Sequence, residues 1–98
     1  MSVSRELGTF AKDANETVIY GFDWAEDDFL SVRSTTISSS SWTVATGLTQ
    51  VSASNTTTTT AVKLSGGTLG VTYRCTNAVV LANGETKERS FLVEIVDL

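Results

Sequence analysis

Apolar and polar residues alternate most regularly over residues 69–98, on both sides of the tripeptide Ala82-Asn83-Gly84. Period-two alternation is typical of strands that bury one face, and a glycine-containing tripeptide between two such runs is typical of a hairpin loop. The face predicted to be buried consists of Leu69, Val71, Tyr73, Cys75, Val79 and Leu81 before the loop, and of Phe91, Val93 and Ile95 after it. The pattern therefore predicts a β-hairpin.

The same pattern selects the length of the loop, because a shift of one residue turns every side chain of a strand to the other face. A two-residue Asn-Gly loop would pair Tyr73 with Glu94 and set apolar positions against polar ones. A three-residue loop with Gly84 in the left-handed region matches apolar residues with one another. The pairs that it predicts are Cys75 with Phe91, Tyr73 with Val93, and Val71 with Ile95.

Two other segments have clear strand patterns. Residues 17–24 alternate, and their apolar face is formed by Val18, Tyr20, Phe22 and Trp24. The β-branched run of threonines at 56–60 favours extended backbone and leads into a strand over residues 61–65, with Val62 and Leu64 facing inward.

The middle of the chain is less regular. Residues 35–38 and 42–45 predict two short strands, joined by a bend in the serine run. Residues 46–57 are typical of an exposed loop from which Leu48 and Val51 reach the core. Residues 1–16 lack a period and predict an N-terminal arm that precedes a single domain over residues 17–98.

About seven short strands in one domain predict an all-β fold, an immunoglobulin-like antiparallel sandwich. Tyr73 precedes Cys75 by two residues, which is the spacing of a tyrosine corner, but the second cysteine of an immunoglobulin disulfide is absent. The predicted core residues are Tyr20, Trp24, Trp42, Val62, Leu64, Tyr73, Cys75, Phe91, Val93 and Ile95, with Gly84 at the hairpin loop.

Composition narrows the possible functions. The chain has no histidine and one cysteine, which excludes serine and cysteine proteases that need a histidine and excludes a cysteine-based zinc site. Its net charge of −4, with seven basic residues spread singly, argues against nucleic-acid binding. No segment is apolar for long enough to cross a membrane, and the polar start predicts synthesis in the cytosol. We expect no cofactor and no enzymatic activity.

Two groups of residues are of types that could bind a ligand. The acids Asp23, Glu26, Asp27 and Asp28 would suit calcium, but the glycine and spaced ligands of an EF-hand loop are missing, so a solvated turn is the better interpretation. Trp24 and Trp42 would suit carbohydrate stacking. Both lie on apolar faces of predicted strands, which favours a role in the core.

Landmarks over most of the chain are similar to those of a family of small tailed-phage proteins, the fibre–tail adaptors. They begin with Phe10-Ala11-Lys12-Asp13, Tyr20 and Asp23-Trp24, and continue with the segment from Ile37 to Val44. The later landmarks are Leu64-Ser65-Gly66-Gly67-Thr68, Tyr73, Thr76-Asn77, Gly84 and Glu88-Arg89-Ser90-Phe91.

This resemblance implies an immunoglobulin-like virion protein, present in several copies at the neck or tail, that attaches fibres or spikes. It implies a homo-oligomeric ring, with a connector or tail protein and a tail fibre protein as partners, assembled in the host cytoplasm. The candidate interface residues are Leu7, Phe10, Lys12, Asp13, Asp23, Glu88 and Arg89. For Asp23 a contact with a turn backbone is slightly favoured over a contact between subunits.

Two other functions fit the sequence. One is a bacterial immunoglobulin-like module, either an adhesin or a carbohydrate-binding module, for which exposed aromatic residues are expected. The other is a capsid decoration or tail-tube protein, which would assemble by the same kinds of contact. The sequence alone does not separate this second alternative from a fibre–tail adaptor.

Overall fold

Seven β-strands form two sheets in the computed structural model, which describes the backbone of residues 5–25, 30 and 34–97 and the side chains of 8–25, 30 and 34–97. The strands are β1 (Arg5–Asp13), β2 (Val18–Asp23), β3 (Ile37–Val44), β4 (Leu48–Asn55), β5 (Thr59–Gly66), β6 (Thr72–Leu81) and β7 (Thr86–Val96). One sheet has the order β1-β7-β6-β3 and the other the order β2-β5-β4. The predicted all-β class is confirmed.

The hairpin of β6 and β7 has the predicted register. Tyr73 pairs with Val93 and Cys75 with Phe91. The three-residue loop closes through a hydrogen bond from the N–H of Leu81 to the carbonyl of Glu85 (2.8 Å), and Gly84 adopts a φ of +94°. This left-handed conformation explains why glycine ends the loop.

The core lies between the sheets in two neighbouring clusters. The larger one is formed by Leu48, Val62, Leu64, Tyr73, Cys75, Phe91, Val93 and Ile95. The smaller one is formed by Trp24, Leu30, Ile37, Val79 and Leu81. Trp42 is half-buried and stacks on Phe22, with their ring centroids 5.8 Å apart. Its indole nitrogen is buried and has no hydrogen-bond partner in the described part of the chain.

The structure corrects three expectations about strands. Residues 5–13, expected to be part of an arm, form β1, which runs parallel to β7 at the edge of its sheet. The serine run lies inside one continuous strand, β3, rather than in a bend between two strands. Residues 48–55 form β4 rather than a loop. Each error arose where backbone pairing, not an alternating pattern of side chains, defines the strand.

Three apolar residues expected in the core lie at the surface instead. Leu69 and Val71 precede β6 and are exposed, because the chain turns at Gly70 before the strand begins. Val51 occupies the bulge of β4 and is also exposed. Leu48, by contrast, is buried as expected.

A tyrosine corner is present in full. The hydroxyl of Tyr73 accepts a hydrogen bond from the backbone N–H of Thr68 (2.9 Å), in the loop between β5 and β6. This hydrogen bond is the defining contact of a tyrosine corner in immunoglobulin-type sandwiches. It supports an immunoglobulin-like sandwich, which stays a prediction.

Candidate interaction surface

A cleft lies between β1 and β2, where one edge of each sheet meets the other. Its volume is about 490 Å³. The residues that line it are Phe10 of β1, Ile19, Tyr20, Gly21, Phe22 and Asp23 of β2, and Arg89 and Phe91 of β7. Three candidate interface residues far apart in sequence, Phe10, Asp23 and Arg89, therefore line one surface feature.

Aromatic rings form the floor of the cleft. The ring of Phe10 lies 5.5 Å from that of Tyr20 and 5.7 Å from that of Phe91, measured between centroids. Tyr20 and Phe91 are themselves 5.1 Å apart. Phe10 remains 44% exposed and Ile19 is 65% exposed, so an apolar surface is open to solvent at the mouth of the cleft. Burial raises the pKa of the Tyr20 phenol, and the nearby carboxylate of Glu16 adds to the effect.

Arg89 closes one end of the cleft. Its guanidinium carbon lies 4.1 Å from the centroid of the Trp24 ring, which is a cation–π contact. Nη1 of Arg89 also reaches the backbone carbonyl of Asp23 at 3.4 Å. The Asp23 carboxylate accepts a hydrogen bond from the backbone N–H of Ala25 (3.0 Å), which is a contact with a turn backbone at an exposed position. Both residues therefore shape the end of β2.

Trp24 is held from its other side by a buried polar network. Its indole N–H is shared between Thr60 Oγ1 and Asn77 Oδ1, each at 3.1 Å. Thr60 donates to the same Asn77 oxygen (2.7 Å), and the amide of Asn77 donates to Ser40 Oγ and to the Ser41 carbonyl. Because buried polar groups need partners, this network fixes the position of the ring on which Arg89 rests.

The other candidate interface residues lie in different places. Lys12 has no exposed surface, and its ammonium group donates to the carbonyls of Asp13 (2.9 Å) and Gly66 (2.7 Å). A partner would reach it only if β1 moved. Asp13 caps the turn that follows β1, through its contact with the N–H of Asn15. Glu88 is exposed and lines a separate shallow depression beside β3 and β6.

Two expectations fall on residues outside the described ones: the acidic turn with Glu26, Asp27 and Asp28, and the side chain of Leu7. No group of three or more His, Cys, Asp or Glu able to hold a metal occurs among the described residues. Cys75 is fully buried, and burial raises the pKa of its thiol to about 11. It keeps its proton at neutral pH and packs as an apolar residue.

The buried tryptophans bear on the carbohydrate alternative. Trp24 is 0% exposed and Trp42 is half-buried between the sheets, so neither offers a flat ring on which a sugar would stack. Ile19, which lines the cleft and is 65% exposed, was not a candidate from sequence. The sequence feature that could have identified it is an isoleucine on the outward face of a strand whose side chains alternate regularly.

The described strands define a β-sandwich of two sheets with a cleft lined by aromatic residues at one side. The chain matches the family described as podophage GP4 fiber-tail adaptor protein gp77 over residues 12–94, and it therefore belongs to that family. No curated protein matches it. The family assigns the chain a phage tail adaptor role and confirms the resemblance seen in its sequence. The family description names a structural task and no reaction.

Proposed function

We propose that this chain is a virion protein that attaches tail fibres or spikes to the neck connector or the tail, and that it acts as a ring of identical copies. The family match over residues 12–94 carries the proposal. An adaptor must hold two different partners, so it needs two separate contact surfaces. The sandwich offers them on opposite sides.

One side is the cleft between β1 and β2. The other side is formed by β3 and β4, which lie next to each other at the opposite edges of the two sheets. Both are strands of eight residues without a charged residue or a proline. Charges and prolines are the usual protection of an edge strand against pairing, so this side suits pairing with a strand of another protein chain.

Assembly in the host cytoplasm is part of the proposal and follows from membership of a phage tail adaptor family. Cys75 is the one cysteine of the sequence, so the fold does not depend on a disulfide. No helix in the part of the chain that the structure describes is long and apolar enough to cross a membrane. The alternative roles of capsid decoration and tail-tube protein would use the same edges, and they differ from the proposal in which virion protein is bound.

The test is reconstitution from purified proteins. The chain is mixed in turn with the fibre protein, the connector protein and the major capsid protein of the same phage, and complexes are measured by size-exclusion chromatography with light scattering. We expect complexes with the fibre protein and with the connector protein, or with a tail protein added in a fourth mixture, and a mass that corresponds to several copies of the chain. Binding to the capsid protein alone would contradict the proposal.

A further inference from the structure

Among the described residues, the outer edge of β2 has no neighbouring strand and lies beside an apolar cleft. β2 pairs with β5 on one side, and no other described strand pairs with it. The N–H of Trp24 donates to the Thr58 carbonyl (2.9 Å). This bond shows which residues of β2 form the hydrogen-bonded pairs with β5, because such pairs alternate along two antiparallel strands. The backbone groups of even-numbered residues therefore point to β5, whereas those of Ile19 and Gly21 point away from it.

An incoming strand could use this edge without disturbing the fold. The backbone groups of Ile19 and Gly21 would pair with it, as in recognition by strand addition. Every second side chain of that strand would then face the cleft, where Phe10, Tyr20 and Phe91 provide an aromatic floor. The exposed surfaces of Phe10 and Ile19 would be covered.

The charged residues beside the edge of β2 indicate which charges the incoming strand carries. Glu16 and Asp23 are exposed and stand at the two ends of β2, while the residues between them are uncharged. They are seven positions apart, which is about 23 Å along an extended chain. Lys12 and Arg89, which lie near the cleft, are buried against backbone carbonyls and the Trp24 ring, whereas Lys63 of β5 is half-buried and lies beside the first half of β2, between these two ends. The rim is therefore acidic at both ends.

We propose that the free edge of β2 binds an extended segment of the fibre protein, with alternating apolar side chains between two basic residues. This inference rests on the proposed function and names the contact through which it acts. The family description names the fibre as a partner of the adaptor, and charge complementarity disfavours a second copy of the chain that docks through its own edge strands. The free edges on the opposite side of the sandwich, β3 and β4, contain no basic residue, so they would not match this rim.

The test uses two variants at one position. Ile19→Pro removes the outward N–H and blocks strand addition, yet it leaves the pairing of β2 with β5 intact because that N–H points away from β5. Ile19→Thr removes the apolar side chain and keeps the N–H. We expect Ile19→Pro to weaken binding of the purified fibre protein by at least about tenfold, and Ile19→Thr by no more than about threefold.

The outcomes separate the inference from the proposed function. If the wild type and Ile19→Pro bind the fibre protein equally, β2 is not the docking edge, although the adaptor role stands. If the wild type binds no fibre protein, the proposed function fails and the docking inference fails with it. If Ile19→Pro disrupts self-association and leaves fibre binding unchanged, the occupant is a second copy and the inference is overturned.

A second measurement applies even if Ile19→Pro does not fold. Amide hydrogen exchange of the wild-type chain is compared with and without the fibre protein. We expect the amides of Ile19 and Gly21 to exchange more slowly in the complex, while Val51 on the opposite side of the sandwich is unchanged. Equal exchange at Ile19 and Gly21 in both states would overturn the inference.

The acidic rim is tested with Glu16→Gln and Asp23→Asn, which remove charge and keep a hydrogen-bonding oxygen. The double variant should bind the fibre protein more weakly, and the difference from the wild type should shrink at high salt. Unchanged affinity at low salt would show that the segment is not basic.

Discussion

Trp24 and Asn77 lie 53 positions apart in the sequence and are joined by a hydrogen bond of 3.1 Å from the indole N–H to the side-chain oxygen. Trp24 directly follows β2 and Asn77 lies in β6, so this bond connects the two sheets. It also fixes the ring on which Arg89 rests at the end of the cleft. The packing of the core and the shape of the candidate surface therefore depend on one buried polar network.

Replacing Asn77 by alanine should destabilise the fold. Thr60 loses its acceptor, the Trp24 indole loses one of its two, and a cavity opens in a fully buried site. We expect a loss of about 2–4 kcal/mol in the free energy of unfolding, measured with urea. Asn15→Ala, at an exposed turn, is the control and should change it by less than about 0.5 kcal/mol. A loss below about 1 kcal/mol for Asn77→Ala would show that the network contributes little.

The closeness of Gly47 to Tyr73 predicts that replacing this glycine by alanine destabilises the fold more than the same replacement elsewhere. A Cβ at Gly47, where φ is +115°, would lie 2.6 Å from Cε1 of Tyr73, whereas a Cβ at Gly70, where φ is +85°, meets no atom within 4 Å. Gly70→Ala should cost about 1 kcal/mol from backbone strain alone. Gly47→Ala should cost about 2–4 kcal/mol, because Tyr73 must also move. Equal melting temperatures of the two variants would contradict this difference.

Because of the buried thiol of Cys75, the free energy of unfolding depends on pH in the alkaline range. Burial raises the pKa of Cys75 from 9.0 to about 11. Between these values the unfolded chain has lost the proton and the native chain has kept it, so the native state binds more protons. The free energy of unfolding therefore falls as pH rises from 9 to 11, by up to about 1.4 kcal/mol per pH unit from this group.

Cys75→Ala is the control for this effect, since it removes the thiol and leaves every other titrating group. Urea unfolding of both proteins at pH 8, 9, 10 and 11 should show a shallower decline for the variant. The pKa of Tyr20, raised by burial, by Glu16 and by Cys75, adds a decline of the same sign in both proteins, and this decline is smaller in the variant because Cys75 is gone. Parallel curves for the two proteins would show that the thiol is not protected from ionisation.

Deleting residues 1–12 should impair folding, contrary to what an irregular arm would allow. The deletion removes β1 except for Asp13, together with the buried Lys12 and its hydrogen bond to Gly66. It also uncovers Phe91, which Phe10 partly covers. We expect the shortened chain to melt at a much lower temperature or to lose cooperative unfolding. Deletion of residues 1–4 leaves β1 complete and is the matched control; equal melting of the two shortened chains would contradict the prediction.

The hairpin could be predicted from the sequence because its register depends on local information. The alternation around Cys75 and Phe91 defines the buried face, and Gly84 selects the loop. β4 could not be predicted in this way. Only Leu48 of its eight residues is buried, so no alternation marks it as a strand. Its extended backbone is fixed by pairing with β5.

The candidate surface could be predicted only in part. Phe10, Asp23 and Arg89 were candidates, and the fold brings them to one cleft. The burial of Lys12 could not be foreseen, because lysine is rarely buried and the carbonyl that it reaches, that of Gly66, is 54 positions away. The contact of Arg89 with Trp24 likewise depends on how the two sheets pack, which short sequence patterns do not specify.

The most direct measurement is cryo-electron microscopy of virions of the phage that encodes this chain, with the chain located by its fitted sandwich and by mass spectrometry. The adaptor proposal predicts a ring of copies at the neck or tail, each in contact with the base of a fibre or spike. Particles that lack the chain, or that carry it only on the capsid surface, would contradict the proposal.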